Sequence, residues 1–198
     1  ITLNPKKGTK TIDELQLTYS DEKGYGFTDG TAVIEGRTET YTQEGIYSKN
    51  VYQDFAIPNP GNTFAVKVPN GRYQVLIMSG SQDKSRNVIT GTLEGTVDVN
   101  VSSDSKTYTV GTFEVDVEDG RLDFTWTGKN GRTNMMIIRR MASMTLSKQT
   151  AELHPDETLE LSVSYFRDEY NPEETAEGAV WTSDNESVAT VDENGTVK

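Results

Sequence analysis

Trp126 runs directly into Thr127-Gly128-Lys129-Asn130-Gly131-Arg132, a polar turn of the kind that rims a site. Tyr25 and Phe27 stand in a stretch punctuated by Gly24 and Gly26, where a ring is easily left open to water. Gln82, Asp83, Lys84 and Arg86 form a second polar loop, and Arg37 adds a further cation. Exposed aromatic planes lie flat against the C–H faces of a pyranose, while amides, carboxylates and guanidinium groups bond its hydroxyls. The candidate ligand contacts are therefore Trp126, Tyr25, Phe27, Arg37, Gln82, Asp83, Lys84, Arg86, Lys129 and Arg132, and the partner they suit is a polysaccharide or oligosaccharide. A plainer reading stands beside this one: Leu122, Phe124 and Trp126 share one face of a strand, which would make Trp126 core.

Other chemistry is thinly supplied. The chain has one histidine, His154, and no Gly-x-Ser-x-Gly elbow, so a serine triad has no natural site. There is no cysteine, which removes disulfides, zinc-thiolate sites and thiol nucleophiles. Carboxylates are plentiful, but acidic residues on a sandwich surface are usually just solvated. No catalytic residue is assigned, and the chain is expected not to be an enzyme. Asp116–Gly120 loosely resembles a calcium loop, yet Thr127 stands where such a loop wants Glu, and the stretch reads better as a turn. No metal ligand or cofactor is assigned, although a structural calcium would suit such a sandwich. A net charge of −12 argues against nucleic acid and anionic membranes. No apolar run approaches the ~18 residues of a membrane span, so no membrane insertion is expected, and no signal peptide is read.

The elements that must position these residues are almost all strands. Val51–Ile57, Thr63–Val68, Arg72–Met78, Val88–Leu93, Tyr108–Val117 and Leu122–Trp126 are rich in β-branched and aromatic residues. Several alternate with period two, as Phe64, Val66 and Val68 do against Thr63, Ala65 and Lys67. The stretch from Tyr19 to Pro60, which holds Tyr41, Tyr47 and Tyr52, is less regular and reads as loops and short strands. Asn70-Gly71 and Asp119-Gly120 tolerate positive φ, which predicts a hairpin over Thr63–Met78 and another over Phe113–Trp126. The fold class is all-β, an antiparallel β-sandwich over residues 1–141. Charge marks the end of that unit. Residues 142–198 hold 13 acidic and 3 basic residues, net −10 of the total −12, which suggests a second unit. In it Ala142–Leu146, Thr158–Tyr165, Val180–Thr182, Val188–Val191 and Thr196–Lys198 read as short strands, with Asn194-Gly195 as a hairpin turn.

The second unit carries Met144-Thr145-Leu146-Ser147, Leu159-Glu160-Leu161-Ser162-Val163, Val180-Trp181-Thr182-Ser183 and Ala189-Thr190-Val191-Asp192-Glu193-Asn194-Gly195. It closely resembles the bacterial immunoglobulin-like domain of group 2, a spacer and adhesion module of secreted and surface proteins. The resemblance implies an incomplete immunoglobulin-like sandwich over 142–198, a buried Trp181, and a secreted or cell-surface bacterial location. The first unit carries Tyr19-Ser20-Asp21-Glu22-Lys23-Gly24-Tyr25-Gly26-Phe27, Thr63–Val75 with its Pro69-Asn70-Gly71-Arg72-Tyr73 block, and Asp119-Gly120-Arg121-Leu122. It resembles, more loosely, a galactose-binding-like (jelly-roll) sandwich that accompanies pectin-active esterases and lyases. That family often has a Gly-Asp pair where this chain has Ser79-Gly80-Ser81-Gln82-Asp83. The resemblance implies a carbohydrate-binding module linked to catalytic or surface-anchoring domains in a longer chain; the ligand class is starch or pectin, and the net charge of −2 over residues 1–141 suits neutral glycans such as starch or galactans. A pectic acid would want Arg37, Lys84, Arg86, Lys129 and Arg132 to converge. Two alternatives stand beside this reading: a structural or adhesive spacer with a protein partner, and a fragment of a polysaccharide-active esterase or lyase.

Overall fold

The computed structural model describes residues 8–29, 33–36, 52, 54–82, 86–166, 174–175 and 179–198. They fall into two compact units, Ile1–Arg139 and Arg140–Lys198, so the division comes two residues before the step in charge.

The first unit is a sandwich of two antiparallel sheets. One has the order β1 (Gly8–Thr11), β3 (Val33–Gly36), β4 (Asp54–Ile57), β11 (Thr133–Arg140), β6 (Gly71–Gly80), β9 (Tyr108–Val117). The other has the order β2 (Tyr25–Phe27), β5 (Thr63–Lys67), β10 (Arg121–Trp126), β7 (Asn87–Leu93), β8 (Val97–Ser103). Alternate residues of both sheets meet between them. Tyr73, Val75, Ile77, Val115 and Val117 come from one side, and Ile89, Leu93, Val99, Val101, Leu122 and Phe124 from the other. The wet face of the first sheet carries Arg72 paired with Glu114 at 3.0 Å and with Asp116 at 3.8 Å. This is the division that period-two patterning demands.

Most of the expected strands are present, but β11, between β4 and β6, lies outside the expected runs, and both expected hairpins are wrong. β5 pairs with β2 and β10, and β6 with β9, so the chain from β5 to β6 crosses from one sheet to the other. The chain from β9 to β10 makes the same crossing beside it. Three residues, Val68, Pro69 and Asn70, separate β5 from β6. Pro69 has no N–H to give a ladder, so it suits an arch better than a two-residue turn. The two arches are tied together: the Val68 N–H donates to the Gly120 carbonyl at 3.0 Å and the Asn70 amide to the Glu118 carbonyl at 2.6 Å. The Tyr73 hydroxyl reaches the Pro69 carbonyl at 2.7 Å and holds the arch to the core. The positive φ of Gly120, +82°, serves this arch. A tight turn does occur between β7 and β8, where three residues, Glu94, Gly95 and Thr96, separate the strands; β8, with its alternating Val97, Val99 and Val101, lies beyond the expected runs. Glu94 and Gly95 both have positive φ, +51° and +65°, and the Thr96 N–H bonds the Leu93 carbonyl at 3.0 Å, a type I′ geometry.

In the second unit β12 (Ser143–Leu146), β14 (Val163–Phe166) and β15 (Glu174–Thr175) form one sheet, and β13 (Leu159–Glu160) pairs with β16 (Thr196–Val197). The expected run Thr158–Tyr165 is thus split between two sheets. Val180–Thr182 is not a strand, and Val188–Val191 contributes a single bridge, Val191 to Val197. The hairpin at Asn194-Gly195 is present, closed by reciprocal bonds of 2.9 Å between Thr190 and Lys198. Trp181 is half-buried and sits over Gly195, where a Cβ would come within 2.9 Å of its ring.

Candidate functional site

The sandwich has an arch end, at residues 68–71 and 118–120, and an opposite loop end, where β10 gives way to 127–132 and β6 to residue 81 onward. The sequence-derived site divides between these ends and the core.

Two of its rings are core, which corrects their expected exposure. Trp126 is 3% exposed and Phe27 2%. The indole stacks on Phe27 with centroids 5.8 Å apart and meets Phe124 edge-on at 4.5 Å. Its Nε1–H donates to Thr133 Oγ1 at 3.1 Å, so its polar tip is satisfied inside the protein. Phe27 lies opposite Phe64 in the β2–β5 ladder and packs edge-on against it at 5.1 Å. The cause is the period-two alternation: Leu122, Phe124 and Trp126 all point inward, and Gly91, facing Trp126 across the ladder, leaves room where a Cβ would strike the Phe124 ring at 2.8 Å.

Tyr25 is half-buried and lies opposite Val66, toward the arch end. The Lys23 ammonium stands 5.2 Å from its ring centre and donates to the carbonyls of Gln16 and Thr18. Tyr25 is therefore not brought to the polar loops.

The loops themselves come together. Arg132 donates from Nη1 to Ser81 Oγ at 2.7 Å and lies over the Phe55 ring at 4.9 Å, which ties the 127–132 loop to the end of β6. Gln82 follows Ser81 and is half-buried. The 127–132 loop is pressed on the start of β7: a Cβ on Gly131 would stand 2.6 Å from the Val88 carbonyl oxygen, and one on Gly128 2.3 Å from Thr90 Oγ1. Arg86, exposed just before β7, donates to Ser102 Oγ at 2.9 and 3.1 Å. Lys129 is exposed at the loop tip. Arg86 thus stands just before β7, and Lys129 and Arg132 lie on the loop packed against it. Arg37, Asp83 and Lys84 lie outside the described residues.

A second polar cluster, at the arch end, was absent from the sequence-derived site. Arg121 holds Asp123 in a two-point pair at 2.8 and 2.7 Å and lies 5.8 Å from the Tyr19 ring centre. Their i,i+2 spacing on β10, which puts both on the wet face, was the available signal. Glu94 accepts the Asp123 N–H. Burial pushes the Glu94 carboxyl above its ordinary value, and the charges of Asp123 and Asp119 add to this. Burial also raises the Tyr19 phenol, whose hydroxyl donates to Asp21. Among the described residues no group of three or more histidines and carboxylates is gathered to hold a metal ion.

Among curated proteins the chain has no match. Solved structures resemble it over part of its length. A protein of Bacillus subtilis, YXIM, is 26% identical, covers 63% of this chain, is itself covered over 34%, and has a TM-score of 0.46. Bacteroides uniformis β-glucuronidase 2 is 16% identical over 59% of this chain and 14% of its own, with a TM-score of 0.43. A carbohydrate-binding module, Xyl-CBM35, solved with a disaccharide containing glucuronic acid, is 16% identical over 52% of this chain and 82% of its own, with a TM-score of 0.33. The chain therefore spans 34% and 14% of the first two. The second unit is matched by a family: residues 140–198 fit the model of the bacterial immunoglobulin-like domain (group 2), the domain that their motifs resemble.

Proposed function

We propose that the first unit is a non-catalytic glycan-binding module that takes an acidic polysaccharide at the loop end of the sandwich. The observation that carries this reading is the packing of the 127–132 loop, which bears Lys129 and Arg132, against the start of β7 next to Arg86, with Arg132 joining two loops through Ser81. With Trp126 and Phe27 in the core, ring stacking has lost its platform. What the loop end offers instead is positive charge and planar hydrogen-bond donors, which suit a carboxylate-bearing sugar better than a neutral one. The second unit acts as a spacer in a secreted or surface protein of bacterial origin. The module raises the local concentration of glycan for linked domains.

Affinity electrophoresis through polygalacturonate and through soluble starch tests the reading. Retention is expected on the polyuronate, falling as salt screens the contact, with little on starch. Lys129→Ala and Arg86→Ala are each expected to weaken retention a few-fold, in keeping with about 1 kcal/mol for an exposed charge pair. Equal retention on both gels, unaffected by salt, would refute it.

The adhesive reading has one observation in its favour: Val180, Val188 and Met144 of the second unit are 89%, 79% and 71% exposed. It would gain if no glycan retained the chain.

A further inference from the structure

We infer that Asn130 is a site of spontaneous deamidation, singled out by its structure from three chemically equivalent candidates. The chain contains three Asn-Gly steps, Asn70-Gly71, Asn130-Gly131 and Asn194-Gly195, and all three asparagines are exposed. In such a step the glycine backbone nitrogen attacks the asparagine Cγ, loses its proton, and expels the side-chain amide as ammonia. Water then opens the resulting succinimide to aspartate or isoaspartate. The reaction needs a free side-chain amide and a free glycine N–H.

Two of the three steps lack one of these. The Asn70 amide is held by the Glu118 carbonyl at 2.6 Å, and Gly71 is paired with Val117 in the longest ladder of the sandwich. The Gly195 N–H is engaged by the Asp192 carbonyl at 3.0 Å, and the Asn194 N–H by the Asp192 carboxylate at 2.9 Å. Among the described residues, neither the Asn130 side chain nor the Gly131 N–H has a hydrogen-bond partner. The glycine at this step is also fixed by packing. A Cβ there would collide with the Val88 carbonyl oxygen, so the residue that fits the loop against β7 is also the one whose unhindered nitrogen can attack the Asn130 Cγ.

The product has a consequence for the proposed site. Deamidation sets a carboxylate between Lys129 and Arg132, cancelling one positive charge of the loop end. That consequence rests on the glycan-binding reading; the chemical step does not.

The test is incubation of the full chain at mildly alkaline pH and 37 °C, followed by chymotryptic peptide mapping by mass spectrometry. The expected result is the amide-to-acid mass gain at Asn130 well ahead of Asn70 and Asn194, with two chromatographic products for aspartate and isoaspartate. Asn130→Gln, whose longer side chain closes the ring far more slowly, is expected to remove that signal and leave the other two sites as slow as before. Equal rates at the three sites, or an earlier gain at Asn70 or Asn194, would overturn the assignment. The aged protein and Asn130→Asp are both expected to lose retention on polygalacturonate. Full retention by a chain shown to be modified at Asn130 would sink the loop-end reading while leaving the modification standing.

Discussion

Glu94 stands where β7 has run out beside β10, and its side chain supplies what the strand no longer can. Phe124 still faces Leu93 in the ladder, but Asp123, one step further, donates its N–H to the Glu94 carboxylate instead of to backbone. The position is partly desolvated and lies near two other carboxylates, so the folded chain holds the Glu94 proton to a higher pH than the unfolded chain does. The contribution of this group to stability is therefore most favourable below its ordinary value of 4.5 and is lost as pH rises through the raised one. Glu94→Gln keeps an acceptor for Asp123 and removes the charge. It is expected to match or exceed the parent in urea midpoint at neutral pH, with the difference closing in mild acid. A midpoint lower at neutral pH than in acid, relative to the parent, would contradict this. Trp126 makes the complementary case. Its substitution by alanine is expected to remove about 3–5 kcal/mol from the stability of the first unit, measured by urea unfolding, because it leaves a hole between Phe27, Phe124 and Thr133. The period-two run that contains it was legible in the sequence, and so was its inward face. What was not legible is whether the last residue of the run reaches past the rim, since that depends on Thr133, a partner at the start of another strand.

At the scale of elements, strands could be read and their partners could not. The bounds of β9 were fixed by its own composition, Tyr108 through Val117, and those of β5, β7 and β10 came within a residue or so. Pairing needed information that a turn does not carry. Asn70-Gly71 and Asp119-Gly120 provide the positive φ of a hairpin, yet here they serve arches, because the strands on either side bury their apolar faces against each other across the core. Conversely Glu94-Gly95, a weaker signal, makes the type I′ turn. The polar loops were recognisable from composition, but that Arg132 reaches Ser81 follows from the pairing of β11, which Arg132 precedes, with β6, which Ser81 follows. Asn70→Ala tests the pairing of the arches. It removes the bond to Glu118, and is expected to lower stability by about 1 kcal/mol without altering the loop end. A substitution with no effect on the urea midpoint would show that the bond between the arches contributes nothing.

The whole molecule has two centres of organisation with very different charge. Each has its own hydrogen-bonded sheets, and most of the net negative charge lies after residue 141. Self-repulsion destabilises the compact state of the acidic unit more than that of its neighbour, and salt relieves it. Differential scanning calorimetry of the full chain is expected to resolve two transitions, of which the one belonging to the second unit rises more on adding sodium chloride. A single transition insensitive to salt would count against this division.

The tied arches also set how the first unit is assembled in time. Because β5 leads to the opposite sheet, the ten-residue ladder between β6 and β9 cannot zip from a neighbouring turn. It must bring together residues as distant in the chain as Arg72 and Asp116, just as the other sheet must join Lys67 to Arg121. Among the described residues only the β7–β8 hairpin, closed by Leu93 and Val97, joins long strands locally in that region. Contacts of such high sequence separation are expected to put refolding in the slow, millisecond-to-second range of sandwiches, which stopped-flow fluorescence of Trp126 would measure.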